Sequence, residues 1–239
     1  MTDKRHVTKI VAASLLGDGS VGIPPDGSKN AKYRQPKTID HMDYVDRLSN
    51  ILEEITPTNR YEWQPKLGNA KRQVMLQTRT HPFYTNFRNR MYPNGHKVVD
   101  PHYLTLLDWE FMAIWYQEDG SLIRDVRKQG TYAKVTLSTN AFSYGDQHCL
   151  RQAIKEKLNV DFNVKDCRKE SSQQYILLLR AVDLSKFLDG VAPYISPSFE
   201  YKLCRTIGST TRVDEDIVRP TEEFVEHPVN GGAENESSK

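Results

Sequence analysis

Twice in this chain an apolar helix-forming run stops at Asp-Gly-Ser, and the two aspartates, Asp18 and Asp119, are 101 positions apart (119 minus 18). Residues 7–16 lead into Gly17-Asp18-Gly19-Ser20. Residues 105–117, with Leu106, Leu107, Phe111, Met112, Ile114 and Trp115, lead into Glu118-Asp119-Gly120-Ser121. A glycine just past an apolar run stops a helix, because it tolerates backbone conformations that other residues resist. The same succession follows each stop. In the first copy a strand near 31–37 precedes an amphipathic helix near 41–55, strands near 60–66 and 71–79, and a helix near 82–91. In the second a strand near 131–139 precedes a helix near 144–158, strands near 161–168 and 173–180, and a helix near 183–191. The spacing of Phe87 to Phe187 and of Pro93 to Pro193 is 100 in each case. The chain therefore reads as α+β, with two pseudo-symmetric αββαββα repeats and saddle-shaped antiparallel sheets. The expected boundaries are 1–91 for the first repeat, a Pro/Gly/His-rich linker over 92–104, 105–213 for the second repeat, and an acidic, disordered tail over 214–239.

Charge is distributed unevenly. The whole chain is only +2, but residues 214–239 hold eight acids against Arg219 and Lys239. The rest carries 31 basic and 23 acidic residues, a basic body suited to a polyanion. No apolar run approaches the roughly 20 residues that span a bilayer, and no signal-type stretch follows the charged first residues. The expectation is an intracellular protein, not secreted and with no membrane partner. Bacterial or phage-infected cytoplasm and organelle encoding (mitochondrion or chloroplast) fit equally. Three cysteines, Cys149, Cys167 and Cys204, match no zinc or disulfide pattern and read as ordinary thiols.

The strands alternate greasy and long polar residues. Lys71, Gln73, Gln77 and Arg79 fall on one face of their strand, with Val74 and Leu76 on the other. Arg60, Gln64 and Lys66 oppose Tyr61 and Trp63, while Tyr132, Lys134 and Thr136 oppose Ala133, Val135 and Leu137. Lys32, Arg34, Lys37, Arg124 and Lys165 join this polar set. Gln, Arg and Lys reach base edges and phosphates in a major groove, so double-stranded DNA is the expected partner, although solvated strand faces can look the same. Asp-Gly is a common turn dipeptide. Either aspartate alone would read as a turn residue, and only as a matched pair do the two suggest chemistry.

At these paired helix ends the chain resembles the LAGLIDADG homing endonucleases. Val11–Gly19 and Met112–Gly120 are similar to that family's two defining motifs, the second to its single-chain, intron-encoded form with Trp115 and the Glu118-Asp119 pair. Gly95-His-Lys-Val-Val99 and Pro193–Leu203 match further landmarks, so the likeness covers about 7–207. It implies two motif helices packed at the centre, with Ala12, Ala13 and Ala113 allowing close approach. Asp18 and Asp119 would be metal-binding carboxylates, and Gly17 and Glu118 would lend backbone carbonyls to the metal. Lys97 and Lys202 would support phosphate and water near each cut, with Gln35 and Ser138 near the positions that orient water. Mg²⁺ is the implied cofactor, with Mn²⁺ able to substitute, and the chain would act as a monomer. The implied activity is a site-specific, metal-dependent double-strand break in a long asymmetric target. Two alternatives stay open on the same fold: a maturase that binds intron RNA, and a non-cleaving sequence-specific repressor.

Overall fold

The structure, a computed structural model of the chain, describes residues 3–66, 71–127, 130–167 and 174–203, and of 125–127 and 130–132 only the backbone. The expected tail and Cys204 lie outside the described residues.

The first repeat runs α1 (Lys4–Leu16), β1 (Ser20–Gly22), β2 (Lys32–Thr38), α2 (Met42–Leu52), β3 (Thr58–Trp63), β4 (Gln73–Thr78) and α3 (Pro82–Met91). A one-turn helix α4 (Pro101–Leu104) lies in the segment read as linker. The second repeat runs α5 (Trp109–Asp119), β5 (Gly120–Arg127), β6 (Gly130–Leu137), α6 (Tyr144–Leu158), β7 (Phe162–Asp166), β8 (Tyr175–Leu179) and α7 (Leu184–Val191). The αββαββα succession is present twice. The two four-stranded antiparallel sheets have the orders β1-β2-β4-β3 and β5-β6-β8-β7.

Capping residues set the helix starts that apolar periodicity could not place. The Asp3 side chain accepts from the Arg5 and His6 N–H groups and starts α1 three residues early. Asp108 accepts from the Phe111 N–H, so α5 begins at Trp109 and not at 105. Asp100 accepts from the His102 N–H, and Pro101 sits at the first position of α4, where its missing donor costs nothing.

The core is organised around α1 and α5, which pack side by side. From Phe111 to Glu118 every residue of α5 is buried, and Val7, Ile10, Val11 and Ala13 on α1 are fully so. Such helices have almost no solvent face, because each packs on its partner and on the sheet of its own repeat. At their N-terminal ends the repeats are tied by charge. Glu110 accepts from Lys9 at 2.8 Å, Arg47 at 2.9 Å and the His6 ring at 3.2 Å, all three from the first repeat. Burial pushes the Glu110 carboxyl up, but its hydrogen bonds to Lys9 and His6 outweigh that and hold it below its ordinary range.

Near the C-terminal ends of α1 and α5, residues 192–203 form a strap of 3-10 turns from the second repeat against the first. The Ser198 N–H donates to Asp43 Oδ2 at 2.9 Å, and Phe199 stacks on the His41 ring at 4.0 Å. The Ser196 N–H donates to Gln117 Oε1 at 2.7 Å, fastening the strap to α5.

Candidate functional site

Helix α1 ends at Leu16 and α5 at Asp119, and just there the chain turns into the first strand of each sheet. Gly17 is a glycine for a steric reason: a Cβ there would come within 2.6 Å of Glu118 Oε2. The Glu118 side chain fills that space. It is buried, accepts from the Tyr44 hydroxyl at 2.5 Å, and accepts from the Asp18 N–H at 2.9 Å. Burial pushes its carboxyl up to about 7, against the pull of Lys37. Glu118 thus meets the first repeat as a buried cross-brace. The resemblance implies a backbone carbonyl at this position; in the structure the Glu118 side chain is held by Tyr44 and the Asp18 N–H.

Two lysines hold the helix ends in corresponding ways. Lys97 Nζ donates to the carbonyls of Gly17 at 2.9 Å and Gly19 at 3.2 Å, on either side of Asp18. Lys202 Nζ donates to the carbonyls of Gln117 and Gly120 at 2.7 Å and of Tyr116 at 3.2 Å. These carbonyls carry the negative end of the helix dipole, which is what a buried ammonium needs. Burial still lowers the Lys202 ammonium, to about 8, and lowers that of Lys97. Both lysines, which the family resemblance implies near each cut, thus bond to carbonyls on either side of an aspartate.

The aspartates differ in their surroundings. The Asp18 side chain is 40% exposed and pairs with Lys37 Nζ at 2.5 Å. Asp119 is half-buried, and among the described residues its carboxylate takes no hydrogen bond or ion pair. Burial, then the charge of Asp18, raises its carboxyl to about 6. Beside the first aspartate a cleft of about 380 Å³ opens between Asp18, Lys37, His41, Phe199, Tyr201 and Lys202.

Lys37 is the residue that sequence reasoning misplaced. Its strand pattern suggests the DNA-reading face, but Tyr33, Gln35 and Lys37 are the buried side of β2 and Lys32, Arg34 and Pro36 the other. Lys37 therefore passes beneath the sheet to Asp18. Gln35, expected to orient water, is fully buried. Its Oε1 accepts from Ser14 Oγ and from the Tyr33 hydroxyl, each at 2.8 Å, so it is a core residue. The group beside Asp18 is two residues further along the same face. Ser138 is exposed and reaches the second motif through its backbone, its N–H donating to the Asp119 carbonyl at 2.9 Å. The motif departure at Ser14 is explained by the same hydroxyl cluster with Tyr33 and Gln35.

The sheet faces away from the helices form the candidate nucleic-acid interface. Arg34, Gln73 and Gln77 lie on it with Lys32 in the first sheet, and Thr136, Lys134 and Lys165 in the second. Arg79 is exposed one residue past β4. Strand β3 is inverted relative to expectation. Tyr61 pairs with Met75 and Trp63 with Gln73, which puts both aromatics on the outer face. Arg60 pairs with Leu76 and turns toward α2, where it meets Asp46. Gln64 and Lys66 lie beyond the end of β3, and Lys71 precedes β4 and pairs with Asp40. Arg124 pairs with Ala133, on the side of Leu122 and Val135, so it too leaves the expected face. The Tyr132 side chain is outside the described residues.

The site has oxygen donors and no thiolate or imidazole cluster: among the described residues no group of three His, Cys, Asp or Glu side chains forms a metal cage. No helix among them is long and apolar enough to cross a membrane. Cys149 and Cys167 are free thiols.

Comparison with known proteins agrees with this geometry. A homing endonuclease, I-WcaI bound to its DNA recognition sequence, shares the fold at a TM-score of 0.72 and 20% identity, over 87% of this chain and 89% of that one. The I-DmoI G20S structure, in complex with its target DNA in the presence of Mg, aligns at 0.50 and 12% identity over 79% and 98%. The uncharacterized protein MJ1098 of Methanocaldococcus jannaschii is 32% identical over 190 residues, 79% of this chain and 70% of that protein. Protein RecA of Mycolicibacterium chitae is 25% identical over 223 residues, 91% of this chain, and the chain spans only 51% of that protein's length. The model of the LAGLIDADG DNA endonuclease family matches residues 8–187, and the chain belongs to that family.

Proposed function

We propose that this chain is a site-specific DNA endonuclease that makes a divalent-metal-dependent double-strand break, with both aspartates supplied by one chain acting as a monomer. The observation that carries the reading is the pair of aspartates at the ends of two packed central helices, the second half-buried with no donor to satisfy it among the described residues. A partly desolvated carboxylate next to another carboxylate calls for a cation. Oxygen donors without Cys or His suit a hard ion such as Mg²⁺, with Mn²⁺ as a substitute. Asp18 and Asp119 would hold it, and Gly17 and Glu118 have carbonyls at the adjoining positions. When bound, such an ion neutralises charge on the scissile phosphate and makes water a better nucleophile.

The chain's own residues do the rest. Lys37 lies at 2.5 Å from Asp18 and fixes that carboxylate while offering positive charge to a phosphate. Lys97 and Lys202 pin the peptides on which the aspartates ride. The outer sheet faces would lie along the major groove on either side of the cut, with Lys and Arg contacts to phosphate setting affinity.

The test is incubation with a randomised duplex DNA library in Mg²⁺. A double-strand break at one defined sequence is the expected result, and no cleavage of any member would overturn the reading.

A further inference from the structure

Each sheet is crossed by a row of four outward side chains immediately after its motif aspartate. In the first sheet the registered positions are Ser20, Arg34, Gln77 and Asn59. In the second they are Ser121, Thr136, Leu178 and Asn163. Ser20 and Ser121 stand two residues past Asp18 and Asp119, so the rows are equivalent. The outer members are identical in type, serine and asparagine. The two central members differ in chemistry.

Arg34 has no ion pair among the described residues, and Gln77 Oε1 accepts from Lys32 Nζ at 2.9 Å, which leaves the Gln77 amide as a donor. The centre of the first row therefore offers donors. The usual major-groove matches for such donors are purine acceptors, O6 and N7 of guanine for arginine and N7 of adenine for glutamine, although thymine O4 also accepts. In the second row Thr136 and Leu178 present a methyl group and an aliphatic side chain. Ile176 follows on the same face of β8, and Ile123 on β5 is 49% exposed. Leu178 and Ile176 are successive outward residues of β8, with Lys165 opposite Ile176, whereas the first sheet has Gln77 and Met75 at those positions; Ile123 lies across β6, opposite Lys134. Aliphatic carbon cannot hydrogen-bond a base edge. The apolar group that a base displays in the major groove is the C5 methyl of thymine.

We propose that the two halves read their half-sites by different chemistry: Arg34 and Gln77 by donation to purine acceptors, and Thr136 and Leu178 by contact with thymine methyl groups. This rests on the endonuclease reading above and deepens it.

The experiment starts from a target recovered by cleaving the randomised library. That target is remade with deoxyuridine for thymine, which removes only the methyl, separately in each half-site. In the half bound by the second repeat, kcat/KM should fall about fourfold per contacted methyl, the factor that corresponds to burying one methyl-sized group. In the other half the change should stay under twofold. Leu178→Gln identifies the halves: it should weaken the thymine-over-uracil preference in one half-site only, by about the fourfold of one contacted methyl, and Arg34→Ala should relax purine preference in the other. Equal uracil effects in both halves, or none in either, would overturn the proposal while leaving a cleaving enzyme. A library that yields no cut would instead overturn the reading beneath it.

Discussion

The backbone N–H of Asp18 donates to the buried carboxylate of Glu118 at 2.9 Å, so the position of one repeat's aspartate is set by a side chain of the other. The same carboxylate accepts from Tyr44. Glu118→Ala would leave two buried donors without an acceptor and open a cavity, a loss of about 2–4 kcal/mol. Glu118→Gln keeps an acceptor and should cost about half as much. Gly17→Ala should resemble Glu118→Ala in direction, because the new Cβ would stand 2.7 Å from the Glu118 Cβ. Urea unfolding midpoints of the three variants check this order, and a Glu118→Ala variant as stable as the parent would contradict the cross-brace.

Lys37 separates chemistry from sequence reading. Its ammonium meets Asp18 and it lies on the inner side of β2, whereas Arg34 lies on the outer side. Lys37→Met should lower the cleavage rate by roughly 10²-fold, the usual effect of losing a positioned charge or donor at a reacting centre. Specific binding, measured with Ca²⁺ in place of Mg²⁺, should change less than severalfold. Equal losses in both assays would return Lys37 to the DNA-reading set.

Most of the fold was legible because its signals are local. Gly17 and Gly120 end the motif helices, apolar periodicity marks α2 and α6, and the repeat spacing ties one half to the other. The faces of particular strands were not legible, and the reason is physical. On β2 the buried positions 35 and 37 are Gln and Lys, polar residues held inside by Ser14, Tyr33 and Asp18, so polarity pointed the wrong way. On the edge strand β3 the aromatics Tyr61 and Trp63 face outward, and Arg60 turns inward to Asp46 on α2. Register decides such cases, and it depends on neighbours far off in sequence. At the site, Asp18 and Asp119 stood at recognisable helix ends, and Lys97 and Lys202 came only from the family likeness. Lys37 and the Glu118 side chain act across a strand and a repeat boundary, which spacing does not reveal.

Metal affinity should depend on pH in a stated direction. Burial and the charge of Asp18 raise the Asp119 carboxyl to about 6. A cation needs that group ionised, so binding must displace a proton below that value. The Mg²⁺ concentration for half-maximal cleavage should therefore rise as pH falls from 7.5 through 6. A half-saturating concentration that does not vary over that interval would contradict it.

Away from the site, Asp161 gives a stability test. Its carboxylate is bonded first by Arg151, at 2.9 Å and 3.2 Å, and also by Lys155 at 3.1 Å, and it is held down at about 2. Because the folded value lies below the ordinary carboxylate value, its contribution is complete above about pH 4 and is lost as pH falls toward 2. Asp161→Asn should cost about 1–2 kcal/mol at pH 7, discounted for the exposed ends of both cations. The difference from the parent should shrink below pH 4 in urea melts, and a constant difference down to pH 2 would refute the assignment.

In the proposed reaction Asp18 and Asp119 together carry the metal-dependent cut. Its most direct measurement is cleavage of the recovered target in Mg²⁺ by Asp18→Asn and Asp119→Asn, with target binding measured in parallel. Each variant should bind the target and make no double-strand break; full double-strand cleavage by either one would show that the cut does not need both carboxylates.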